Sequence, residues 1–347
     1  MRTDLLNAKA FVMRKNLKPV VLLMLMMASM KNVNAQVDPH FTQYYVYPSW
    51  LNPALTGIFD GDVRVSGIYR NQWGNISSPF STPGVSLDFN SSKNMNFGVS
   101  AMQQKAGDGG YTYTTAYGNF SYTGVKFGKN EYKRMAFGLQ VGMIQRKFDP
   151  TKLTFGDQWN PIFGFSASNP TADIINDPTA ISFDAGAGVL YYDAEPGKKT
   201  NLFAGFSVAH LTQPDDKFSG TGDATLPIRY TGHAGLRIAL SNQFSITPNF
   251  LYLKQGTASE KMIGAYGQYK ASQDIDLLLG ANYRFEDAVS PYFGFYYKNL
   301  VFGASYDVNV SDLGKMTGGT NSFEISLTYI VRKKVKTPGI EFVCPRL

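Results

Sequence analysis

The chain has 347 residues, 44% of them hydrophobic and 17% charged, and a formal net charge of +7. Residues 1–35 carry six of the 33 basic side chains and one of the 26 acidic ones, and residues 331–347 carry five and one. Residues 36–330 therefore have a net charge of about −2. A folded body of that charge is not expected to bind nucleic acid. The single cysteine, Cys344, excludes an internal disulfide.

An apolar run of about a dozen residues, Pro19–Met30, follows a cluster of basic residues. The run is too short to cross a bilayer and is typical of a secretory signal peptide. Small or modest side chains at Val33-Asn34-Ala35 predict cleavage before Gln36. We therefore assign residues 1–35 to a signal peptide, within which Met13 is an alternative start of translation.

Residues 36–62 do not alternate regularly between apolar and polar side chains. Pro39, Pro48 and Pro53 argue against a central strand, because proline has no N–H to donate to a sheet ladder. We expect this N-terminal segment to lie in the periplasm or to enter the lumen of the β-structure that follows it as a partial plug.

Between residues 63 and 331, short alternations of apolar and polar residues recur about fourteen times. In Phe323–Tyr329 every second side chain is apolar, and the intervening ones are a carboxylate and two hydroxyls. Successive side chains of a strand point to opposite faces, so each strand has one apolar and one polar face. The pattern predicts an all-β fold: a transmembrane antiparallel β-barrel of about 14 strands, with the even strand number of single-chain bacterial barrels. The predicted strands are Val63–Trp73, Val85–Asn90, Met95–Gln104, Tyr113–Phe127, Lys133–Lys147, Ile181–Asp193, Leu202–His210, Ile228–Leu240, Phe244–Leu253, Met262–Lys270, Ile275–Phe285, Tyr292–Tyr297, Leu300–Val308 and Ser322–Val331.

The predicted connections alternate in length along the chain. Those after even-numbered strands are short, such as Ser91–Asn94 and Lys298–Asn299, whereas several after odd-numbered strands are long, such as Thr212–Pro227 and Asn309–Asn321. Outer-membrane barrels combine short periplasmic turns with longer outer loops. We therefore expect an integral outer-membrane protein with both termini in the periplasm.

Charged side chains of both signs fall on the inward-facing parity of the predicted strands. They would either pair across the lumen and close it or line an aqueous pore. These charges do not form a ring of a single sign, which would indicate a selective channel. We favour a lumen that is partly occupied by loops or by the N-terminal segment. The inward charges are Arg64, Asp88, Asp184, Arg237, Asp276, Arg284 and Glu324.

The tail 332–347 follows the last predicted strand and has no place in the barrel. Its basic residues either anchor the chain against lipid phosphates or belong to a contact element. The Thr337-Pro338-Gly339 step and the sequence from Phe342 to Leu347 suit a short linear segment offered to a periplasmic partner. We interpret Cys344 as a small apolar contact of that segment and not as a reactive thiol.

Stretches near both ends of the mature chain together resemble the PorP/SprF family of the type IX secretion system. The resemblance covers essentially the whole mature chain, although family members often end in Cys-Pro-Arg-Phe and this chain ends in Leu347. The stretches are Asp38-Pro39-His40-Phe41-Thr42-Gln43-Tyr44-Tyr45, Asn52-Pro53-Ala54-Leu55-Thr56-Gly57, Arg70-Asn71-Gln72-Trp73 and Cys344-Pro345-Arg346.

The resemblance implies a non-enzymatic outer-membrane barrel of Bacteroidota that assists the export or cell-surface attachment of secreted proteins, among them gliding adhesins. The implied partners are outer-membrane lipids, the periplasmic ring lipoproteins and translocon of type IX secretion, and a secreted protein with a C-terminal sorting domain. The alternative function is a general diffusion or uptake porin. We expect partner-binding residues in the N-terminal segment and in the tail: Phe41, Tyr44, Tyr45, Trp50, Asn52, Pro53, Phe342, Cys344, Pro345 and Arg346.

The sequence contains no recognisable catalytic or metal site, and no cofactor is expected. His210 falls on the apolar-facing parity of its strand and Ser207 on the opposite one, so this serine and histidine are not expected to converge. Cys344 is remote in sequence from every histidine, and no zinc-binding spacing is present. Carboxylates in the long loops offer oxygen ligands to calcium, but their spacing matches no EF-hand, and we interpret them as solvated loop charge. They are Asp149, Asp157, Asp173, Asp177, Asp215 and Asp216.

Overall fold

A computed structural model describes residues 38–74, 78–91, 94–107, 110–166, 168–169, 171–172, 178–215, 225–311 and 321–332. The predicted signal peptide and the tail beyond Arg332 lie outside these residues. Among the residues described, no helix is both long enough and apolar enough to span a bilayer.

The structure contains sixteen strands in the part of the chain that it describes. They are β1 (Val63–Gln72), β2 (Phe80–Phe89), β3 (Met95–Ala106), β4 (Tyr111–Phe127), β5 (Lys133–Lys147), β6 (Trp159–Asn160), β7 (Gly164–Phe165), β8 (Thr179–Asp193), β9 (Thr200–Ala209), β10 (Arg229–Ala239), β11 (Phe244–Gln255), β12 (Ala258–Lys270), β13 (Ile275–Arg284), β14 (Ala288–Tyr297), β15 (Leu300–Asn309) and β16 (Asn321–Val331).

Fourteen of these strands form one closed antiparallel barrel, which confirms the predicted fold. The barrel closes between β1 and β16, where Val63 lies opposite Val331. Closure leaves no sheet edge to be hydrogen-bonded by lipid, which is why barrels can span a bilayer. The other two strands, β6 and β7, form a small hairpin in the connection between β5 and β8.

Several strands begin earlier than the alternation predicted, and in two of them the added residues include a proline. β2 starts at Phe80 and β14 at Ala288, and each runs through a proline, Pro83 or Pro291. Neither proline is paired to the following strand, β3 or β15. A barrel strand thus accommodates proline where the ladder is interrupted, because the missing N–H then leaves no partner unbonded.

The two faces of each strand have the chemistry that the alternation predicted. In β16, Phe323, Ile325 and Leu327 are exposed on the outer surface, while Glu324 and Ser326 are buried on the inner one. The predicted inward charges Arg237 and Asp276 are only partly buried. The other five are buried within the barrel: Arg64, Asp88, Asp184, Arg284 and Glu324.

The two ends of the barrel differ in their connections. One end carries the connections 148–178, 210–228 and 310–320, and we call it the long-loop end. The other end carries turns such as 240–243 and 298–299, and we call it the short-turn end.

Residues 38–59 are buried inside the barrel, and we call them the plug. Asp38 lies at the long-loop end, where the hydroxyl of Tyr113, close to the start of β4, donates to its carboxylate over 3.3 Å. The chain reaches the short-turn end at Asp62, whose N–H donates to the carbonyl of Val331 over 2.9 Å. Asp38 and Arg332, the two described chain ends, therefore lie at opposite ends of the barrel, whereas the sequence analysis placed both termini on one side.

Two prolines of the plug begin short helical elements. Pro48 is the first residue of helix α1 (Pro48–Leu51), and Pro53 is the first residue of a 3₁₀ turn (Pro53–Leu55). Proline suits this position because its fixed φ matches the helix and the absent N–H would have no helical partner. The prolines that argued against a strand thus shape a compact segment that fits within the lumen.

Candidate functional site

Four charged wall residues form a cluster near the long-loop end of the lumen. Arg70 Nη1 lies 2.6 Å from Glu324 Oε1, and Arg70 Nη2 lies 2.8 Å from Asp307 Oδ2. Arg284 Nη2 also lies 2.8 Å from Asp307 Oδ2. Two guanidinium groups thus neutralise two carboxylates, which is the condition under which buried charges are tolerated. We call these four residues the Glu324 cluster.

The Glu324 cluster holds the main chain of the plug. Glu324 accepts the N–H groups of Thr42 and Gln43 over 2.6 and 2.9 Å, one on each carboxylate oxygen. Asp307 accepts the hydroxyl of Thr42 over 2.9 Å. The ring of His40 lies 3.0 Å from Arg70 Nη2. Burial and the positive charges of Arg284 and Arg70 hold the pKa of His40 well below its usual range, so this ring is neutral beside them.

A second cluster fixes the first plug residue. His210 Nε2 and Arg229 Nη1 approach Asp38 Oδ2 at 2.7 and 2.8 Å, and His210 Nδ1 approaches Asp184 Oδ2 at 2.8 Å. Tyr117 donates its hydroxyl to Asp184 over 2.7 Å. We call Asp38, Asp184, His210 and Arg229 the Asp38 cluster. It joins the plug to β8, β9 and β10.

Strand parity predicted that His210 would face the lipid, but its side chain is buried inside the barrel. Its backbone has a φ of 59°, in the left-handed region, directly after β9 ends at Ala209. This reversal breaks the alternation and turns the ring into the lumen. Although burial alone lowers its pKa, the carboxylates of Asp38 and Asp184 raise the pKa of His210 to about 9. The ring is therefore charged at neutral pH and bridges two anions.

Asn52 is the central anchor of the plug. Its side-chain amide donates to the carbonyl of Val189 over 3.0 Å and lies 3.3 Å from His233 Nε2, while its oxygen accepts the N–H of Ala54 over 2.9 Å. Three glycines of β5, β8 and β9 make room for this stretch, and we call them the glycine cradle: Gly138, Gly188 and Gly205.

A Cβ atom at any position of the cradle would collide with the anchor. At Gly138 it would lie 2.1 Å from the nitrogen of Ala54, and at Gly188 it would lie 2.0 Å from Asn52 Oδ1. The cradle therefore requires glycine for close packing, against the plug backbone at Gly138 and against the Asn52 and His233 side chains at Gly188 and Gly205, and not for a special φ.

All six partner-binding residues predicted in the N-terminal segment lie in the plug and contact the barrel or one another. Phe41 packs edge-on against Trp50 with ring centroids 5.8 Å apart, and the guanidinium of Arg229 lies 4.7 Å from the centroid of Trp50. Tyr45 packs against Phe203 of β9. Tyr44, Asn52 and Pro53 are buried as well. The four predicted tail residues, Phe342, Cys344, Pro345 and Arg346, lie outside the described residues.

The plug does not fill the whole lumen. A cavity of about 1030 Å³ lies at the short-turn end. Its wall includes Phe59 at the end of the plug, Asp274 and Lys298 in turns, and Tyr296 of β14. We call this cavity the vestibule. Two other cavities, between the plug and the wall, measure about 20 Å³ each, enough for a single water molecule.

Within the described residues, no group of three or more His, Cys, Asp or Glu side chains is placed to hold a metal ion. Ser207 does face the lumen, as does His210, but its hydroxyl donates to the carbonyl of Leu51 over 2.7 Å. His210 in turn contacts the carboxylates of Asp38 and Asp184. Ser207 and His210 therefore both hold the plug and do not contact each other as a catalytic pair would.

The family model for the type IX secretion system membrane protein PorP/SprF matches residues 33–329. The chain belongs to the PorP/SprF family. This PorP/SprF protein is an outer-membrane β-barrel, and its link to secretion follows from the family. No curated protein matches the chain significantly.

Solved structures similar to this PorP/SprF chain are also outer-membrane barrels. The toluene transporter TbuX of Ralstonia pickettii is 11% identical, with a TM-score of 0.51, and the match covers 81% of this chain and 92% of that one. The monoaromatic hydrocarbon channel CymD is 14% identical with a TM-score of 0.49, over 83% and 93% of the two chains. At such identity the likeness to TbuX shows the fold alone.

Sequence reasoning missed several residues that hold the plug. Arg70 and Asp307 share the inward parity of Arg64 and Glu324 on strands that were predicted, so parity alone was sufficient to find them. Arg229 begins β10 and has the same parity as His233. No sequence signal pairs Arg229 with Asp38 or Asp307 with Thr42, because these contacts join residues 191 and 265 positions apart.

Proposed function

We propose that this PorP/SprF protein supports type IX secretion by binding other proteins, assisting the export or the cell-surface attachment of a secreted protein, and that it catalyses no reaction. Family membership carries this proposal. The plugged lumen supports it, because a barrel occupied by its own chain offers no wide aqueous path for solutes.

The proposed orientation places the long-loop end outside the cell and the short turns in the periplasm, as is usual for outer-membrane barrels. The vestibule and the tail after Arg332 would then face the periplasmic ring lipoproteins and the translocon. The long loops would face a secreted protein with a C-terminal sorting domain. Phe342, Cys344, Pro345 and Arg346 remain our proposed contacts in the tail. The buried aromatic residues of the plug would reach a partner only if the plug left the lumen.

Deletion of the gene tests the proposal. We expect a secreted protein with a C-terminal sorting domain to accumulate inside the cell or to be shed, while nutrient uptake stays normal. Fractionation followed by immunoblotting measures the first, and growth on limiting nutrients measures the second. Loss of uptake with normal secretion would contradict the proposal and favour a porin.

A planar bilayer containing the purified chain separates secretion support from diffusion directly. We expect little steady conductance, because the plug occupies the lumen. Steady, wide conductance would support the porin alternative.

A chain lacking residues 337–347 should insert normally and bind periplasmic ring lipoproteins more weakly in a pull-down. If that chain failed to reach the membrane, the tail would be an assembly signal and not a partner contact.

A further inference from the structure

We propose that the lumen is a polypeptide-binding site and that the plug is its resident, exchangeable ligand. The natural competitor would be a segment of a secreted or periplasmic protein, and in this respect alone the inference rests on the proposed function. The ligand class follows from what the wall recognises in the plug, which includes main-chain groups along most of its length as well as side chains.

The long-loop half of the wall binds plug main-chain atoms of both polarities. Glu324 accepts the N–H groups of Thr42 and Gln43 over 2.6 and 2.9 Å. Asn282 donates its side-chain amide to the carbonyl of Thr42 over 3.4 Å. Every polypeptide offers such N–H and C=O groups, so these contacts do not depend on the side chains of the occupant.

The wall also donates to plug carbonyls closer to the middle and the short-turn end. Arg229 Nη2 donates to the carbonyl of Trp50 over 2.9 Å, and Ser121 donates to the carbonyl of Thr56 over 2.6 Å. Together with the contact of Ser207 to Leu51, the wall binds main-chain groups from the start of the plug almost to its end. Recognition through main-chain groups is the means by which proteins bind varied peptide segments.

Part of the inner wall would remain hydrated if the plug left the lumen. Many of its buried side chains are hydroxyls and amides, such as Ser86, Ser100, Thr115, Asn119 and Gln140. Water can satisfy these groups when no polypeptide is present, whereas an apolar wall would be exposed at a cost. The apolar part of the interface is shared, because wall residues such as Ile68, Leu190 and Leu251 form one hydrophobic cluster with the plug.

The charges of the wall specify one feature of the occupant. In the Glu324 cluster the wall supplies carboxylates for its own cations: Arg70 and Arg284 pair with Asp307 and Glu324, and Arg284 also pairs with Asp287. The Asp38 cluster is different. Its cations Arg229 and His210 have Asp184 from the wall and take Asp38 from the plug. An incoming segment therefore needs a carboxylate at its long-loop end, followed by a stretch as slim as Asn52-Pro53-Ala54 at the glycine cradle.

The test uses the full-length chain with a protease site inserted after the exposed Asp60. The protein is folded first and then cleaved, so that only non-covalent contacts hold the plug. A fluorescent peptide of residues 36–60 is added in excess. We expect its anisotropy to rise with the cleaved protein and to stay unchanged with the uncleaved protein or with a scrambled peptide. No exchange into the cleaved protein would overturn the proposal.

Modified peptides test what is recognised. N-methylation at Thr42 and Gln43 removes both donors to Glu324 and leaves the side chains intact, so binding should weaken at least tenfold. A peptide with Asp38→Asn should also bind at least tenfold more weakly, because Arg229 and His210 lose their anion. Equal binding of the N-methylated peptide would refute main-chain recognition.

If the insertion prevents folding, hydrogen exchange of the unaltered chain gives an independent test. The amides of Thr42 and Gln43 should exchange at least tenfold faster than that of Leu327 on β16, because an exchangeable plug opens separately from the barrel. Equal protection would show that plug and barrel open only together and would overturn the proposal. These measurements need no secretion assay, so a failed exchange and a normal secretion phenotype in a deletion strain remain distinguishable.

Discussion

The glycine cradle and the vestibule are two parts of one inner wall with opposite contents. At the cradle, glycines of β5, β8 and β9 leave a depression that Asn52-Pro53-Ala54 of the plug fills. At the vestibule, Tyr296 and Val301 belong to a buried cluster separate from that of the plug. Sectors with small inward residues need the plug to exclude water, whereas sectors with bulky inward residues fill themselves and leave open space beside the plug.

The comparison predicts the largest loss where the plug and wall share buried charge. Glu324→Ala leaves Arg70 with one partner fewer and removes the acceptor of two plug N–H groups. Breaking a buried ion pair typically costs about 3–5 kcal/mol, and we expect a loss of that order in the free energy of unfolding. Urea denaturation in detergent measures it.

The matched control lies on the vestibule. Asp274→Ala removes an exposed carboxylate from its rim and should change the free energy of unfolding by less than about 0.5 kcal/mol. Equal losses at Glu324 and Asp274 would contradict the distinction between the two sectors.

A smaller loss is expected where only steric fit is changed. Gly138→Ala places a methyl group 2.1 Å from the nitrogen of Ala54, so the plug must shift. Overpacking of this kind typically costs about 1–3 kcal/mol. We expect lower thermal stability and faster proteolysis of the plug.

Gly232→Ala is the control for this change, since a Cβ there meets no heavy atom within 4 Å. It should leave both stability and proteolysis nearly unchanged. Similar effects of the two substitutions would mean that strand glycines matter for the barrel itself and not for seating the plug.

The Asp38 cluster predicts a dependence on pH. The pKa of His210 is raised from 6.5 to about 9 by the two carboxylates that face it, Asp38 and Asp184, against the effects of burial and Arg229. Its stabilisation of the seated plug is therefore full below pH 6.5 and is lost as the pH rises through about 9. Proteolysis of the plug should accelerate between roughly pH 8 and 10.

His210→Gln should remove most of that pH dependence, because glutamine does not titrate. A variant that still shows the same acceleration would assign it to another group. The hydroxyls of Tyr113 and Tyr117 also face this cluster, and Tyr113→Phe checks their contribution.

Two cysteine substitutions should change stability least, and their labelling rates compare solvent access to the vestibule with solvent access to the plug. In a Cys344→Ser background, Ser272→Cys at the vestibule should react rapidly with a maleimide, and Ser49→Cys in the plug at least tenfold more slowly. Exchange with excess plug peptide after cleavage should expose Ser49→Cys. Equal rates before cleavage would show that water reaches both sectors alike.

Much of the fold could be predicted because the sequence of a barrel strand shows which side chains face the lipid and which face the lumen. The alternation in Phe323–Tyr329 assigns lipid and lumen faces residue by residue, and the strand total and the hairpin order follow from it. Errors arose where one residue departs from local rules. Pro83 and Pro291 led us to start β2 and β14 too late in the sequence. The left-handed backbone of His210 turned its side chain to the opposite face.

The candidate site could be predicted only in part. The N-terminal segment was recognised as a possible plug from its prolines and broken alternation, and its aromatic residues were chosen as contacts. Their contacts in the structure are with the barrel, and binding to a separate partner remains a proposal. The carboxylate that holds Thr42 lies 282 residues further along the chain, beyond any local pattern.

The sequence by itself determined that this chain is an outer-membrane barrel, because period-two alternation is a local property that lipid and backbone hydrogen bonding convert into a closed sheet. Only the tertiary structure decided what the barrel contains. Closure brings Asp38 to Arg229 and Asn52 to Gly188, and these contacts depend on barrel circumference and on the absence of side chains at the glycine cradle. The main-chain recognition of the plug therefore exists only in the folded protein.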